Sequence, residues 1–224
     1  MTAPRAPEQR FESLVDALRE AILTGRYAAG TRLVQEELAE AYGISRIPLR
    51  EALRRLEGEG LVVISPNKGA VVRPLAPKDV VDLYELRLAL ESLALRRAAE
   101  RFADLRESTR RRHAEAKRAI AARALPALFK LDRDFHADVA AASDNPHLVA
   151  ALGAQWSQIM RVMHAYFQVE MYPEAVWDDH EAIVDALAHG DADTAIAVLT
   201  RHLSESRDAI LAHLRSRAAA PNTS

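Results

Sequence analysis

The sequence contains no cysteine. That excludes a disulfide framework, a thiolate zinc site and a cysteine nucleophile, and leaves His, with Asp and Glu beside it, to bind any metal. An excess of charge is also missing, since 30 Lys and Arg stand against 32 Asp and Glu for a net charge of −2. Any nucleic-acid-binding face must therefore come from where the charges are placed, not from their sum. No apolar run approaches the ~20 residues of a membrane span. The opening M-T-A-P-R-A-P-E-Q-R lacks the apolar core of a signal peptide. The expectation is a cytoplasmic chain with no membrane partner. Glycine is scarce and unevenly spread: six of the eight lie within the first 75 residues, and only Gly153 and Gly190 follow. A segment that turns often thus precedes long Ala-, Leu- and Arg-rich stretches. The 224 residues have room for two domains, and a boundary around Pro74–Lys78 gives expected domains of 1–75 and 76–224.

The first segment reads as a winged helix-turn-helix. Phe11, Leu14, Val15, Leu18 and Ile22 form a helical stripe over about Glu8 to Leu23, which Gly25 can end in a left-handed cap. A second helix spans roughly Val34 to Ala41, and Gly43 allows a tight turn. Ser45 is placed as the N-cap of a third helix, with Pro48 in its first turn and Gly58 at its end. Two extended pieces, Leu61 to Ile64 and Ala70 to Arg73, flank a hairpin tip at Pro66, Asn67, Lys68 and Gly69. The third helix carries Arg46, Arg50, Arg54 and Arg55. Ser45, Arg46 and Arg50 crowd the end that reaches base edges in such a motif. An Arg fork can bridge guanine O6 and N7, and Asn67 and Lys68 can meet phosphate or the minor groove. An ordinary solvated helix face with surface Arg is the alternative.

The run G-I-S-R-I-P-L-R-E-A-L-R-R-L-E-G-E-G-L-V, Gly43 to Val62, resembles the DNA-binding signature of GntR-family transcription regulators. The upstream I-L-T-G-R-Y-A-A-G-T-R-L and the downstream N-K-G-A-V-V fit the same pattern. The resemblance implies that Arg46 and Arg50 contact operator bases and that the glycine-tipped wing touches the minor groove; Ser45, Arg54, Asn67, Lys68 and Gly69 complete the expected DNA-binding set. One departure is Ala28-Ala29-Gly30, where that family more often has Pro-Gly; Gly30 keeps the turn. Residues 1–75 carry 11 basic and 10 acidic side chains. So small an excess favours a dimer, which doubles the phosphate contacts.

From Pro77 onward about six helices are expected, at 78–101, 104–123, 126–142, 146–169, 173–189 and 192–216, with Asn145 and Asp191 as N-caps. No strand-like alternation intervenes, so the fold class is mainly α: a winged helix-turn-helix followed by an all-α bundle. Polar residues fall on the apolar stripes. One stripe reads Leu128, Asp132, Phe135, His136, Val139; another His180, Ile183, Val184, Leu187; a third Ala195, Val198, Leu199, His202. A buried carboxylate needs a compensating charge. A divalent metal, zinc or nickel, can be held by one Asp and three His. Hydrogen-bonded core histidines, with Asp132 paired to an Arg, are the other reading.

L-D-R-D-F-H (Leu131 to His136), D-D-H-E-A-I-V-D-A-L-A-H-G-D (Asp178 to Asp191), His202 and Y-E-L-R-L-A-L-E (Tyr84 to Glu91) resemble the FCD effector domain of the FadR subfamily. The resemblance implies a metal at Asp132, His136, His180 and His202, on the floor of a cavity that takes a small carboxylate effector. Arg87, on a stripe with Val80, Leu83, Tyr84 and Leu90, is expected to point inward, to an effector carboxylate, to Asp132 or into a structural ion pair. Arg161 is a weaker candidate for the effector. The expected function is a ligand-responsive transcription regulator, acting as a homodimer on a pseudo-palindromic double-stranded operator. Two alternatives stand beside it: the same regulator with a purely structural metal, and a His/Asp metalloenzyme. Against the enzyme, no general base stands out near the four ligands.

Overall fold

The computed structural model describes the backbone of residues 7–65, 69–98, 102–167 and 175–219. Its internal contacts divide the chain into two units, Met1–Ala76 with Ser157–Ala165, and Pro77–Trp156 with Tyr166–Ser224.

In the first unit, helix α1 (Pro7–Leu23) turns Leu14, Val15, Leu18 and Ile22 inward. Gly25 closes it at φ +77°, a left-handed conformation that carries no Cβ penalty in glycine. Strand β1 (Arg32–Leu33) and helix α2 (Gln35–Ala41) follow, and Gly43 at φ +62° redirects the chain into α3 (Arg46–Gly58). Leu49, Ala52, Leu53 and Leu56 recur at helical spacing on α3 and are buried against α1 and α2. Each fully buried Leu contributes about 1.5–3 kcal/mol, so this stripe anchors α3 and leaves its polar face outward. Ser45 stands at the N-cap in extended conformation, yet its side chain makes no capping bond. Strands β2 (Val62–Ser65) and β3 (Gly69–Val72) form an antiparallel hairpin, paired Val63 to Val71 and Ser65 to Gly69, and β1 joins on the other side of β3. The tip, with Asn67 and Lys68, lies outside the described residues.

The same unit holds a small polar knot. Glu59, just past α3, accepts from Arg19 Nε at 2.8 Å and Nη2 at 2.6 Å. Ser157 Oγ donates to the same carboxylate at 2.8 Å, and Gln158 Nε2 to the Glu59 backbone carbonyl.

The second unit is helical. Its elements are α4 (Pro77–Ala98), α5 (Phe102–Ala121), α6 (Leu125–Ala142), α7 (Pro146–Gly153), α8 (Trp156–Phe167, whose Ser157–Ala165 is counted with the first unit), α9 (Ala175–Ala188) and α10 (Ala192–Ala219). Helix α10 packs on α4 and α9, while α6 packs on α4 and α5. The core holds Leu95, Phe129, Phe135, Trp177, Ile183, Leu187 and Leu199. The helix expected at 146–169 is two helices: α7 ends at Gly153, a poor helix former, and residues 154–155 form a turn. Ala154 keeps helical dihedrals (φ −64°, ψ −21°), so the break leaves no mark on the hydrophobic period. The expected start at 173 lies outside the described residues. Asn145 caps α7, its Oδ1 accepting from the N–H groups of His147 at 3.1 Å and Leu148 at 3.3 Å. No described helix is long and apolar enough to cross a membrane.

Candidate functional site

Two groups of residues carry chemistry. The first is the outward face of α3. Ser45, Arg46, Arg50 and Arg54 are all exposed there. Arg46 Nη2 donates to Glu36 Oε1 at 2.6 Å, Arg54 Nη1 to Glu51 at 2.9 Å and Arg55 Nη1 to Glu12 at 2.6 Å. Among the described residues, Arg50 has no ion-pair partner. Ile47, between Arg46 and the first-turn Pro48, is 76% exposed, an uncommon position for a large aliphatic side chain. Sequence periodicity alone gives Ile47 no role. Gly69 opens β3 at φ +76°, pairing with Ser65 where the hairpin leaves the sheet.

The second group lies inside the helical unit. Helix α6 presents Asp132 and His136 one turn apart, α9 presents His180, and α10 presents His202. One donor atom from each lies within 4.8 Å of the others. His180 Nε2 is 3.6 Å from Asp132 Oδ1, and His136 Nε2 is 3.8 Å from the same oxygen. Donor atoms about 2.1 Å from a common ion lie ~3.0–4.2 Å apart, so both separations suit one centre. All four side chains are buried, none more than 4% exposed.

Among the described residues, neither nitrogen of His180, nor Nε2 of His136, has a hydrogen-bond partner. Unpaired polar atoms this deep cost about 1–3 kcal/mol each, and a metal ion would satisfy one nitrogen of each ring with the donor set present. The residues therefore fit a divalent cation. Aromatic rings hold the His180 imidazole: Phe135 stacks on it at 3.9 Å between centroids, and Trp177 meets the same ring edge-on at 5.1 Å.

The electrostatics suit metal ligation as well. Burial alone would push the Asp132 carboxyl up, but His136, His180 and Arg87 hold it well below the usual carboxylate range. Burial, with the neighbouring His202 and His136, pushes His180 well below the ordinary imidazole value. Burial lowers His202 too, against the pull of Asp179. An ionised Asp and neutral imidazoles are the forms that ligate. His136 moves the other way: burial and Arg87 lower it, and Glu91 and Asp132 more than offset them.

Arg87, on α4, is buried with its Nε donating to Glu91 Oε1 at 2.6 Å. Its Nη2 is buried and makes no hydrogen bond among the described residues. The guanidinium lies 5.5 Å from the Trp156 ring and 5.7 Å from that of Tyr84, whose hydroxyl burial pushes up to about 12. Of the pairings expected for Arg87, the ion pair is the direct one, and it is made with Glu91. Arg161 sits elsewhere: its Nη1 donates to the Arg73 carbonyl at 2.8 Å and its Nη2 to that of Pro74 at 3.3 Å. Glu91, absent from the expected site residues, is wholly buried with Oε2 2.5 Å from His136 Nδ1. The signal was in the sequence, since Glu91 continues the stripe Val80, Tyr84, Arg87. His113 is buried with Nδ1 2.6 Å from Glu181.

The model of the family described as "Bacterial regulatory proteins, gntR family" matches residues 11–72, and that of the FCD domain matches residues 82–205. A probable D-xylose utilization operon transcriptional repressor of Paenarthrobacter nicotinovorans is 33% identical over 82% of this chain and 80% of its own. The Nta operon transcriptional regulator of Aminobacter aminovorans is 30% identical over 84% of this chain and 89% of its own. Two solved structures share the fold: a GntR regulator from Rhodococcus sp. RHA1 (TM-score 0.73, 23% identity, 91% of this chain and 98% of that one) and E. coli McbR/YncC (TM-score 0.74, 20% identity, 96% and 100%).

Proposed function

The chain belongs to the gntR family of bacterial regulatory proteins and carries an FCD domain, and from that premise we propose that its operator affinity is set by a small carboxylate bound in the helical unit. It is a transcription regulator, in a family of regulators and not of enzymes. We assign operator contact to Ser45, Arg46, Arg50 and Arg54 on α3 and to Asn67, Lys68 and Gly69 on the wing. Arg46 and Arg50 suit guanine, and the exposed Ile47 suits a thymine methyl. Two copies on a pseudo-palindrome would double the phosphate contacts that one nearly neutral head supplies.

The observation that carries the sensing half is the unpaired Nη2 of Arg87 beside the four-residue cluster. A buried guanidinium nitrogen without an acceptor suits a ligand oxygen, and a carboxylate is the planar anion that Arg pairs with best. Asp132, His136, His180 and His202 would hold zinc or nickel, which supplies Lewis-acid charge to a carboxylate oxygen. On this reading Arg87 orients the acid, and Trp156 and Tyr84 wall the guanidinium from water. The acid then changes operator affinity by a coupling of ~1–3 kcal/mol. Arg161, bonded to two backbone carbonyls, is the weaker candidate for this contact. The alternative, a metal that serves folding alone, draws support from the near-complete burial of the four ligands.

The test begins with selection of a binding duplex from a random library by zinc-loaded protein, followed by titration with and without a panel of small carboxylates. One acid is expected to change duplex affinity about 5- to 150-fold, and the change should vanish in Arg87→Met. Enrichment of no sequence would sink the operator assignment. Selective DNA binding that every acid leaves unchanged would sink the sensing half. An acid response surviving removal of the metal would favour the structural reading.

A further inference from the structure

The cluster has three imidazoles, and each must turn one particular nitrogen toward Asp132. Nothing in the ring chooses between Nδ1 and Nε2; the choice is made by what the other nitrogen meets. Two carboxylates outside the cluster make that choice. Glu91 Oε2 stands 2.5 Å from Nδ1 of His136, which leaves Nε2 facing Asp132 Oδ1 at 3.8 Å. Asp179 Oδ2 stands 3.5 Å from Nδ1 of His202 and leaves that ring's Nε2 as the nitrogen turned away from it. Both carboxylates are held from behind by arginine, Glu91 by Arg87 and Asp179 by Arg201. His180 has no such partner on either nitrogen and is positioned by the Phe135 stack.

We propose that Glu91 and Asp179, neither of them a candidate ligand, are the positioning residues of the metal centre, accepting from Nδ1–H of His136 and His202 so that both rings offer Nε2. The inference rests on the metal reading above and adds to it. Glu91 has a second duty, because the carboxylate that aims His136 also takes Arg87 by its Nε and leaves Nη2 unpaired. The aim of the ligand ring and the aim of the anion-binding group are thus set by one side chain.

The experiment uses the full chain, with zinc as the probe in competition against a chromophoric chelator, in wild type, Glu91→Gln and Asp179→Asn. Either amide removes the charged acceptor and keeps the shape. Each variant is expected to bind zinc about 10- to 100-fold more weakly. Nitrogen-15 spectra of the metal-free protein, taken at a pH where both rings are neutral, should show His136 and His202 protonated on Nδ1 in wild type, with Nε2–H signal appearing for the affected ring in each variant. Asp179 lies nearer the surface and has no duty to Arg87, so Asp179→Asn decides the matter if Glu91→Gln does not fold. Folded variants that hold zinc within twofold of wild type, with unchanged tautomers, would overturn the proposal while leaving the metal reading intact. Failure of wild type itself to take up zinc would overturn both.

Discussion

Arg46 is two-thirds exposed and tied to Glu36. To reach a guanine it must leave that carboxylate, and an exposed pair of this kind is worth about 0–1 kcal/mol. Glu36→Gln is therefore expected to tighten operator binding by no more than ~fivefold, as read by titration at fixed salt. Arg46→Ala and Arg50→Ala should each cost ~1–3 kcal/mol of specific binding with the melting temperature unchanged. Sequence discrimination that survives both would contradict their place on the reading face. Inside the helical unit the same reasoning applies to protons. Burial and the two neighbouring histidines hold His180 well below the imidazole value that it regains on unfolding. As pH falls below about 6.5, the unfolded chain therefore binds a proton that the folded chain refuses, and stability falls with it. His136, shifted upward, works in the opposite direction. Denaturant titrations of the metal-free protein at pH 7.5 and pH 5.5 should show the loss. A stability that rises on acidification would contradict the ordering of these two histidines.

Among the elements, α7 depends most plainly on its first turn. Asn145 Oδ1 accepts from two backbone N–H groups that have no partner within the helix. Asn145→Ala should cost about 1 kcal/mol and lower the thermal midpoint by ~2–4 °C; an unchanged midpoint would mean that water replaces the cap without loss. Gly43 is the counterpart in the first unit. A Cβ added there would meet nothing within 4 Å, so a substitution is opposed by the +62° φ alone. Gly43→Val should therefore destabilise by roughly 1–2 kcal/mol, and Gly43→Asn by less. Most of these elements can be read in the sequence, because burial imposes period and caps have characteristic residues. The stripe Leu49, Ala52, Leu53, Leu56 and the inward set Asp132, His136, His180, His202 follow directly from spacing. The division of 146–169 into α7 and α8 does not, since a turn with helical dihedrals leaves the stripe unbroken. Nor does the choice of Asp179 over its neighbour Asp178 as the partner of His202, which depends on how α9 and α10 pack.

Taken as a whole, the molecule has two cores that share few devices. The first is an aliphatic core around α3 with a charged exterior. The second encloses a charged network of Arg87, Glu91 and Asp132 together with three imidazoles. Metal bound only by the folded state adds about 4 kcal/mol of stability at a thousandfold excess over its dissociation constant. Calorimetry before and after chelation should thus show a lowered transition for the helical unit and an unmoved one for the winged unit. Equal shifts in both would mean that the units do not melt independently.

The placement of the aromatic residues has a practical consequence. The chain has two tryptophans, and both flank the histidine cluster: Trp156 lies 6.1 Å from the His136 ring and Trp177 lies 5.1 Å from that of His180. The DNA-reading head contains neither. Intrinsic fluorescence excited near the red edge of absorption therefore comes from this one interior, and titration with zinc is expected to change its intensity. Occupancy of the cluster can thus be followed by intrinsic fluorescence, without a label on the protein.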